Sequence, residues 1–325
     1  MKSIVAFLFL LSFINVPACL NYYIVGTDVH GKKVHTEGER YFPVEINSFD
    51  KTDYIERAKS DLRNYQITKN MGSYLNYATS LVYLGEYDKA INIFNYIDKI
   101  EPNKYEIASN LGTAYELKGD NFNALKWIKK ALDLNKDSHH GSEWIHVKIL
   151  AKKLGFIKSE NFLGIDFGKK VIPTSTYSKD NLNDILFDLS YQLSERTQFV
   201  KPKDIIVGKL FFDFGNVLSL SYDLESAKKA YEISQKYGCK NPLLQKRIDY
   251  FTKLIKDNKD SGKRVDNDYE DLETNSITTK NSNPKTSDFK NIENIKEPEN
   301  KLPIIPIIGI VLALIMILLV IKIKK

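Results

Sequence analysis

A 34-residue offset relates two adjacent stretches of this chain. At that offset Gly85 falls on Gly119 and Ala90 falls on Ala124. Before each glycine, apolar residues recur every three or four positions, which is the spacing of one face of an α-helix. A glycine ends such a helix well, because a residue without a Cβ tolerates the left-handed backbone of a C-terminal cap. The offset therefore predicts two copies of one helix–turn–helix unit.

Each copy predicts two helices that pack together as a hairpin. In the first copy the helices are expected over Ser73–Leu84 and Tyr87–Ile100, and the second copy is expected over Tyr105–Leu134. Ala90 and Ala124 are predicted to lie where the two helices of a hairpin cross, since a small side chain permits close approach. One hairpin alone leaves a hydrophobic face exposed, so further stacked hairpins are required.

This pattern resembles the tetratricopeptide repeat, whose unit is a 34-residue helix–turn–helix. The resemblance implies an all-α fold, an α-solenoid of helical hairpins over residues 51–256. Its expected parts follow in chain order: repeats at about 71–104 and 105–138, a partial repeat at 139–155, an insertion at 160–204, a degenerate repeat at 208–240 and a capping helix at 241–256.

The N-terminus has the features of an export signal. Residues 1–18 combine a lysine at position 2 with a long apolar run, which predicts a signal peptide. The sequence Val16-Pro17-Ala18-Cys19 resembles a bacterial lipoprotein box, in which Cys19 is lipidated and becomes the first residue. Ordinary cleavage after Ala18 is the alternative. Residues 19–50 are expected to form an extended segment before the solenoid.

The C-terminus predicts a membrane anchor. Residues 303–321 are expected to form a transmembrane helix, because the uncharged run Ile304–Ile321 spans about 27 Å at ~1.5 Å per residue. Three lysines in the tail, residues 322–325, favour the cytoplasmic side. Residues 257–302 are too polar to bury a core and predict a disordered linker. The chain is thus expected to span the bacterial inner (cell) membrane once, with its helical domain outside the cytoplasm.

Charge argues against nucleic acid as a partner. The chain has 47 Lys and Arg against 41 Asp and Glu, but four of the lysines belong to the two terminal targeting segments. The remainder is close to neutral, whereas nucleic-acid-binding domains concentrate positive charge. Cys19 and Cys239 are the only cysteines, so a disulfide framework cannot hold the fold.

The first helices of successive tetratricopeptide hairpins line a binding groove. The resemblance implies that seven residues form this surface, called here the predicted groove: Leu75, Thr79, Tyr83, Ser109, Asn110, Thr113 and Glu116. The expected partner is an envelope protein or a peptide segment, and the expected function is that of a membrane-tethered scaffold. No enzymatic activity and no cofactor are expected, because the sequence contains no Ser-His-Asp or Cys-His set and no phosphate-binding glycine loop.

A metal-dependent hydrolase is the alternative function. His139, His140, Glu143 and His146 have side chains of the type that ligate zinc, although their spacing is not the His-Glu-x-x-His of zinc peptidases. The other interpretation of this segment is that a serine caps a helix and the histidines are not ligands. A lipid- or glycan-binding module is a third possibility, but the sequence does not indicate a stacked aromatic surface.

Three further segments are similar to a group of uncharacterised envelope repeat proteins from Bacteroidetes. They are Cys19–Tyr23, Ser142–Leu150 and Gln198–Pro202. This resemblance implies no activity, but it favours Cys19 as the mature N-terminus.

Overall fold

A computed structural model describes residues 22–38 and 44–260 of the chain. It divides into two compact units. Unit 1 contains residues 22–38, 44–47, 167–186 and 200–260, and unit 2 contains residues 48–166 and 187–199. The predicted signal peptide, Cys19, the transmembrane helix and residues 261–302 of the predicted linker lie outside the described residues, whereas residues 257–260 of that linker are helical. Among the residues that are described, no helix is long and apolar enough to cross a membrane.

Unit 2 is a row of antiparallel helices. In chain order they are α1 (Lys51–Thr68), α2 (Met71–Leu84), α3 (Tyr87–Ile100), α4 (Tyr105–Lys118), α5 (Asn121–Leu134) and α6 (Glu143–Lys153). Each helix packs against the next. The bounds of α4 and α5 lie 34 residues after those of α2 and α3. The prediction of stacked helical hairpins with a 34-residue repeat is therefore confirmed.

Small residues form the turn of each hairpin and the crossing of its two helices. Gly85 and Gly119 cap α2 and α4 in the left-handed conformation, with φ of 86° and 95°. Ala90 and Ala124 are fully buried in α3 and α5. Such close packing leaves no room for larger side chains at these positions.

Helix α7 (Lys179–Phe199) lies in the region predicted to be an insertion. Its residues are divided between the two units: 179–186 belong to unit 1 and 187–199 belong to unit 2. Several side chains in the unit 2 part of α7 are buried. They are Asp188, Leu189, Gln192, Leu193 and Thr197.

Unit 1 contains the part of the chain that departs from the all-α prediction. Strands β1 (Tyr22–Thr27) and β2 (Lys33–Gly38) form an antiparallel hairpin within the segment expected to be only extended. The turn is built by Asp28, whose carboxylate accepts from the N–H groups of His30 and Lys32, both at 2.8 Å. Such side-chain-to-backbone bonds stabilise a tight turn locally, so the strands can pair.

Unit 1 also contains three further helices: α8 (Ile205–Ser221), α9 (Leu224–Tyr237) and α10 (Leu244–Asp260). Strand β1 is joined to α9 by the Glu225 carboxylate, which accepts from the N–H and the hydroxyl of Thr27, both at 3.0 Å. Arg247 of α10 is almost fully buried. Its guanidinium donates to the carbonyl oxygens of Val171 at 3.1 Å and Lys170 at 2.9 Å, which ties α10 to the 167–186 segment of the same unit.

Candidate functional site

The predicted groove lies entirely in unit 2. Ser109 and Glu116 are buried, and the other five residues of the predicted groove are half-buried. Asn110 donates to the hydroxyl of Thr79 at 3.1 Å, so α2 and α4 are also connected by a polar contact. The first helices of the two hairpins are thus neighbours in unit 2.

The chain's own residues 187–199 lie against the predicted groove. The Arg196 guanidinium donates to both carboxylate oxygens of Glu116, with Nη1···Oε1 at 2.7 Å and Nη2···Oε2 at 3.4 Å. At the end of α7, the ring of Phe199 lies 4.8 Å from the ring of Tyr83. Tyr83 also stacks on Tyr54 of α1, with 3.8 Å between ring centroids. Two predicted groove residues are therefore occupied by side chains of the same molecule.

The unit 2 half of α7, residues 187–199, also contacts α6 and the residue before it. The Trp144 indole N–H donates to the Asp188 carboxylate at 2.7 Å, and the Gln192 amide donates to the Ser142 hydroxyl at 3.1 Å. Asp188, Gln192 and Arg196 are spaced four residues apart, so they share one face of the helix. This face meets α6 at its start and α4 further along.

Glu116 is the centre of a buried cluster of charges. Besides Arg196, its carboxylate accepts from His146 Nε2 at 2.6 Å and from Lys153 Nζ at 2.7 Å. Burial alone would raise the pKa of this carboxyl, but the positive charges of Arg196 and His146 outweigh burial and hold it well below its ordinary range. Glu116 is therefore ionised, and its charge is matched by side chains of α6 and α7.

His146 lies between two carboxylates. Its Nδ1 is 3.5 Å from Glu143, opposite the bond to Glu116. Burial lowers the pKa of His146, but the charge and hydrogen bond of Glu116 outweigh it and raise the pKa above its ordinary value. For Glu143, burial is outweighed by hydrogen bonds from His139 and His146, which hold its pKa well below the ordinary range. The cluster favours a protonated imidazole.

This arrangement does not support the hydrolase alternative. His139 Nδ1 lies 2.5 Å from Glu143 and 3.1 Å from the hydroxyl of Tyr105, while both ring nitrogens of His146 face carboxylates. Within residues 22–38 and 44–260, no group of three or more His, Cys, Asp or Glu residues is arranged to hold a metal ion. The two histidines act here as hydrogen-bonding partners of buried carboxylates.

Stacked aromatic rings do occur, contrary to the expectation from the sequence. Tyr65 of α1 and Tyr74 of α2 stack with 4.0 Å between their ring centroids, and Tyr96 of α3 meets Tyr74 edge-on at 6.1 Å. Tyr96 is 46% exposed. The sequence did not reveal this cluster because its members come from three different helices.

Sequence reasoning also missed the polar face of α7. Asp188, Gln192 and Arg196 carry its hydrogen bonds to α6, Ser142 and α4, and none of the three was among the predicted site residues. Their four-residue spacing was visible in the sequence. The signal was ambiguous, because polar residues at helical spacing are more often a solvated face.

Comparison with known proteins gives matches among solved structures only. No protein-family model matches the chain, and no curated protein matches it significantly. Among solved structures, the chain is similar to the crystal structure of a tetratricopeptide repeat protein from Parabacteroides merdae ATCC 43184 at 2.39 Å resolution. The two chains are 13% identical, with 62% of this chain and 78% of that chain covered and a TM-score of 0.29. Independently of that similarity, the helix bounds of unit 2 show hairpins of the tetratricopeptide type.

Proposed function

We propose that this protein is a membrane-tethered, extracytoplasmic scaffold that binds another protein or an extended peptide segment in the bacterial envelope. The tandem helical hairpins of unit 2 carry the proposal. Arrays of this kind present extended surfaces that are used for binding proteins. The signal-like residues 1–18 and the apolar residues 303–321 support a place in the envelope.

The charges of the chain agree with a protein partner. Outside the terminal targeting segments, acidic and basic residues nearly balance, so no strong field favours nucleic acid. Glu116 and His146, two buried ionisable groups at the predicted groove, have partners within unit 2. They stabilise the stack of helices and do not require a substrate.

Affinity purification tests the scaffold proposal. The full-length protein, extracted from membranes in a mild detergent, is expected to retain an envelope protein in a fixed molar ratio. The matched control is a bait that keeps the two terminal segments and the linker but lacks residues 44–260, which should not retain that protein. If the full-length bait recovers nothing beyond the control, the scaffold proposal is wrong.

A further inference from the structure

The unit 2 half of α7 has the contacts of a bound ligand. It reaches α6 through Asp188 and Gln192, and it reaches α4 through Arg196. Arg, Trp and Tyr side chains in such contacts are typical of protein–protein interfaces, whereas cores are mostly apolar. The helix therefore resembles a recognised segment more than a piece of core.

Backbone packing separates this segment from the rest of unit 2. The helix pairs of unit 2 whose backbones run close together are α1–α2, α2–α3, α2–α4, α3–α4, α4–α5 and α5–α6. Among the described residues, the 187–199 half of α7 does not form such a pair with any of these helices. It is held through side chains that extend from both partners.

The charged contact of Arg196 is not fully paired. The Nε of Arg196 is buried, and no described residue accepts a hydrogen bond from it. An unsatisfied buried donor is costly, so docking is weaker than a fully paired interface would be. Two leucines on the adjacent face, Leu189 and Leu193, supply apolar contact.

We propose that residues 187–199 are an intramolecular occupant of the predicted groove, which a helical segment of an envelope partner replaces. This inference rests on the proposed scaffold function and names the kind of partner. The partner helix carries a carboxylate for the Trp144 indole, a guanidinium eight residues later for Glu116, and a terminal aromatic ring for Tyr83. The chain's own Asp188, Arg196 and Phe199 have this spacing.

Native-state hydrogen exchange of the full-length protein in detergent tests whether the segment opens. The backbone amides of residues 191–199 are expected to exchange on the order of tenfold faster, or more, than those of residues 109–118 in α4, through an opening smaller than global unfolding. If both sets exchange only with global unfolding, the helix is a permanent part of the core and the proposal is wrong.

A synthetic peptide with the sequence of residues 187–199 tests the groove itself. Arg196→Ala in the full-length protein weakens the internal occupant, so the peptide should bind that variant about tenfold more tightly than the wild type, because a larger fraction of grooves is open. The control peptide carries Arg196→Glu, which is repelled by Glu116 and should not bind. A variant that folds, shown by its circular dichroism, but binds the peptide no better than the wild type contradicts the proposal.

The outcomes separate the two proposals. If Arg196→Ala does not fold, the exchange measurement on the wild type decides alone. If the segment opens and the peptide binds but affinity purification recovers no partner, the occupant proposal stands and the scaffold function fails. If a partner is recovered while residues 187–199 stay closed, the scaffold stands and the partner binds another surface.

Discussion

At the scale of single residues, the hairpins depend on pairs of a very small and a large side chain. A Cβ added to Gly112 of α4 would lie 2.4 Å from Cδ1 of Ile128 in α5. In unit 1, a Cβ on Gly215 would lie 2.5 Å from the ring of Tyr231. Each large side chain thus fills the space that its glycine leaves. The size of this pair sets the distance between the two helices.

Gly112→Ala is expected to destabilise the protein by up to about 2 kcal/mol. The added methyl group overpacks a fully buried site, which costs about 1–3 kcal/mol, and the ~1 kcal/mol that alanine normally contributes over glycine in a helix offsets part of this cost. Thermal unfolding measures the change. The double variant Gly112→Ala with Ile128→Ala removes both Cδ1 and Cγ1, the two closest atoms, so it should lose less stability than the two single changes added together. A Gly112→Ala variant as stable as the wild type would contradict this packing.

His146 makes stability depend on pH. Its pKa is raised in the folded state by Glu116, against an ordinary value of 6.5. Its contribution to the free energy of unfolding is therefore fully present below that value and is lost as pH rises through the raised pKa. Between the two pKa values the loss is at most about 1.4 kcal/mol for each step of one in pH. The charged groups that face it are Glu116, Glu143, Lys153 and Arg196.

The melting temperature of the wild type is expected to fall on the alkaline side of about pH 6.5. His146→Gln keeps a side-chain hydrogen-bond donor but does not titrate. The melting temperature of this variant should therefore be lower than that of the wild type below about pH 6.5, and it should not show the same decrease at alkaline pH. If both proteins lose stability in parallel as pH rises, the imidazole is not the responsible group.

At the scale of elements, the crossing of α4 and α5 tests the repeat alignment. Ala124 is fully buried in a cluster that also contains Leu125, Val147 and Leu150. Ala124→Leu should overpack this cluster and cost about 1–3 kcal/mol. On the same helix, Lys126 is exposed, and Lys126→Leu should change stability by less than about 0.5 kcal/mol. Equal melting temperatures for the two variants would show that the crossing lies elsewhere.

At the scale of the whole molecule, topology decides which partners are within reach. If the protein has the proposed topology, protease added to spheroplasts is expected to cut within residues 257–302 and to release a soluble helical fragment, because a positive tail favours a cytoplasmic C-terminus. If Cys19 is lipidated, the fragment stays on the membrane unless Cys19→Ser is introduced, so both forms are compared. Protection of the linker in intact spheroplasts would contradict the extracytoplasmic placement.

The sequence alone determined the hairpin repeats of unit 2. Their helices are local structures, and the glycines, the apolar spacing and the 34-residue offset are all visible within short stretches of chain. The helix bounds of α3 over Tyr87–Ile100 agree with the predicted ones for this reason. The anchor at residues 303–321, the lipidation of Cys19 and the groove specificity remain predictions.

Only the tertiary structure decided what lies against the predicted groove. The contact between Arg196 and Glu116 joins residues 80 positions apart, and the contact between Trp144 and Asp188 joins residues 44 positions apart. A helical pattern shows which side chains share a face, but it does not show what that face meets. That depends on the path of the chain between α6 and α7, which local periodicity does not encode.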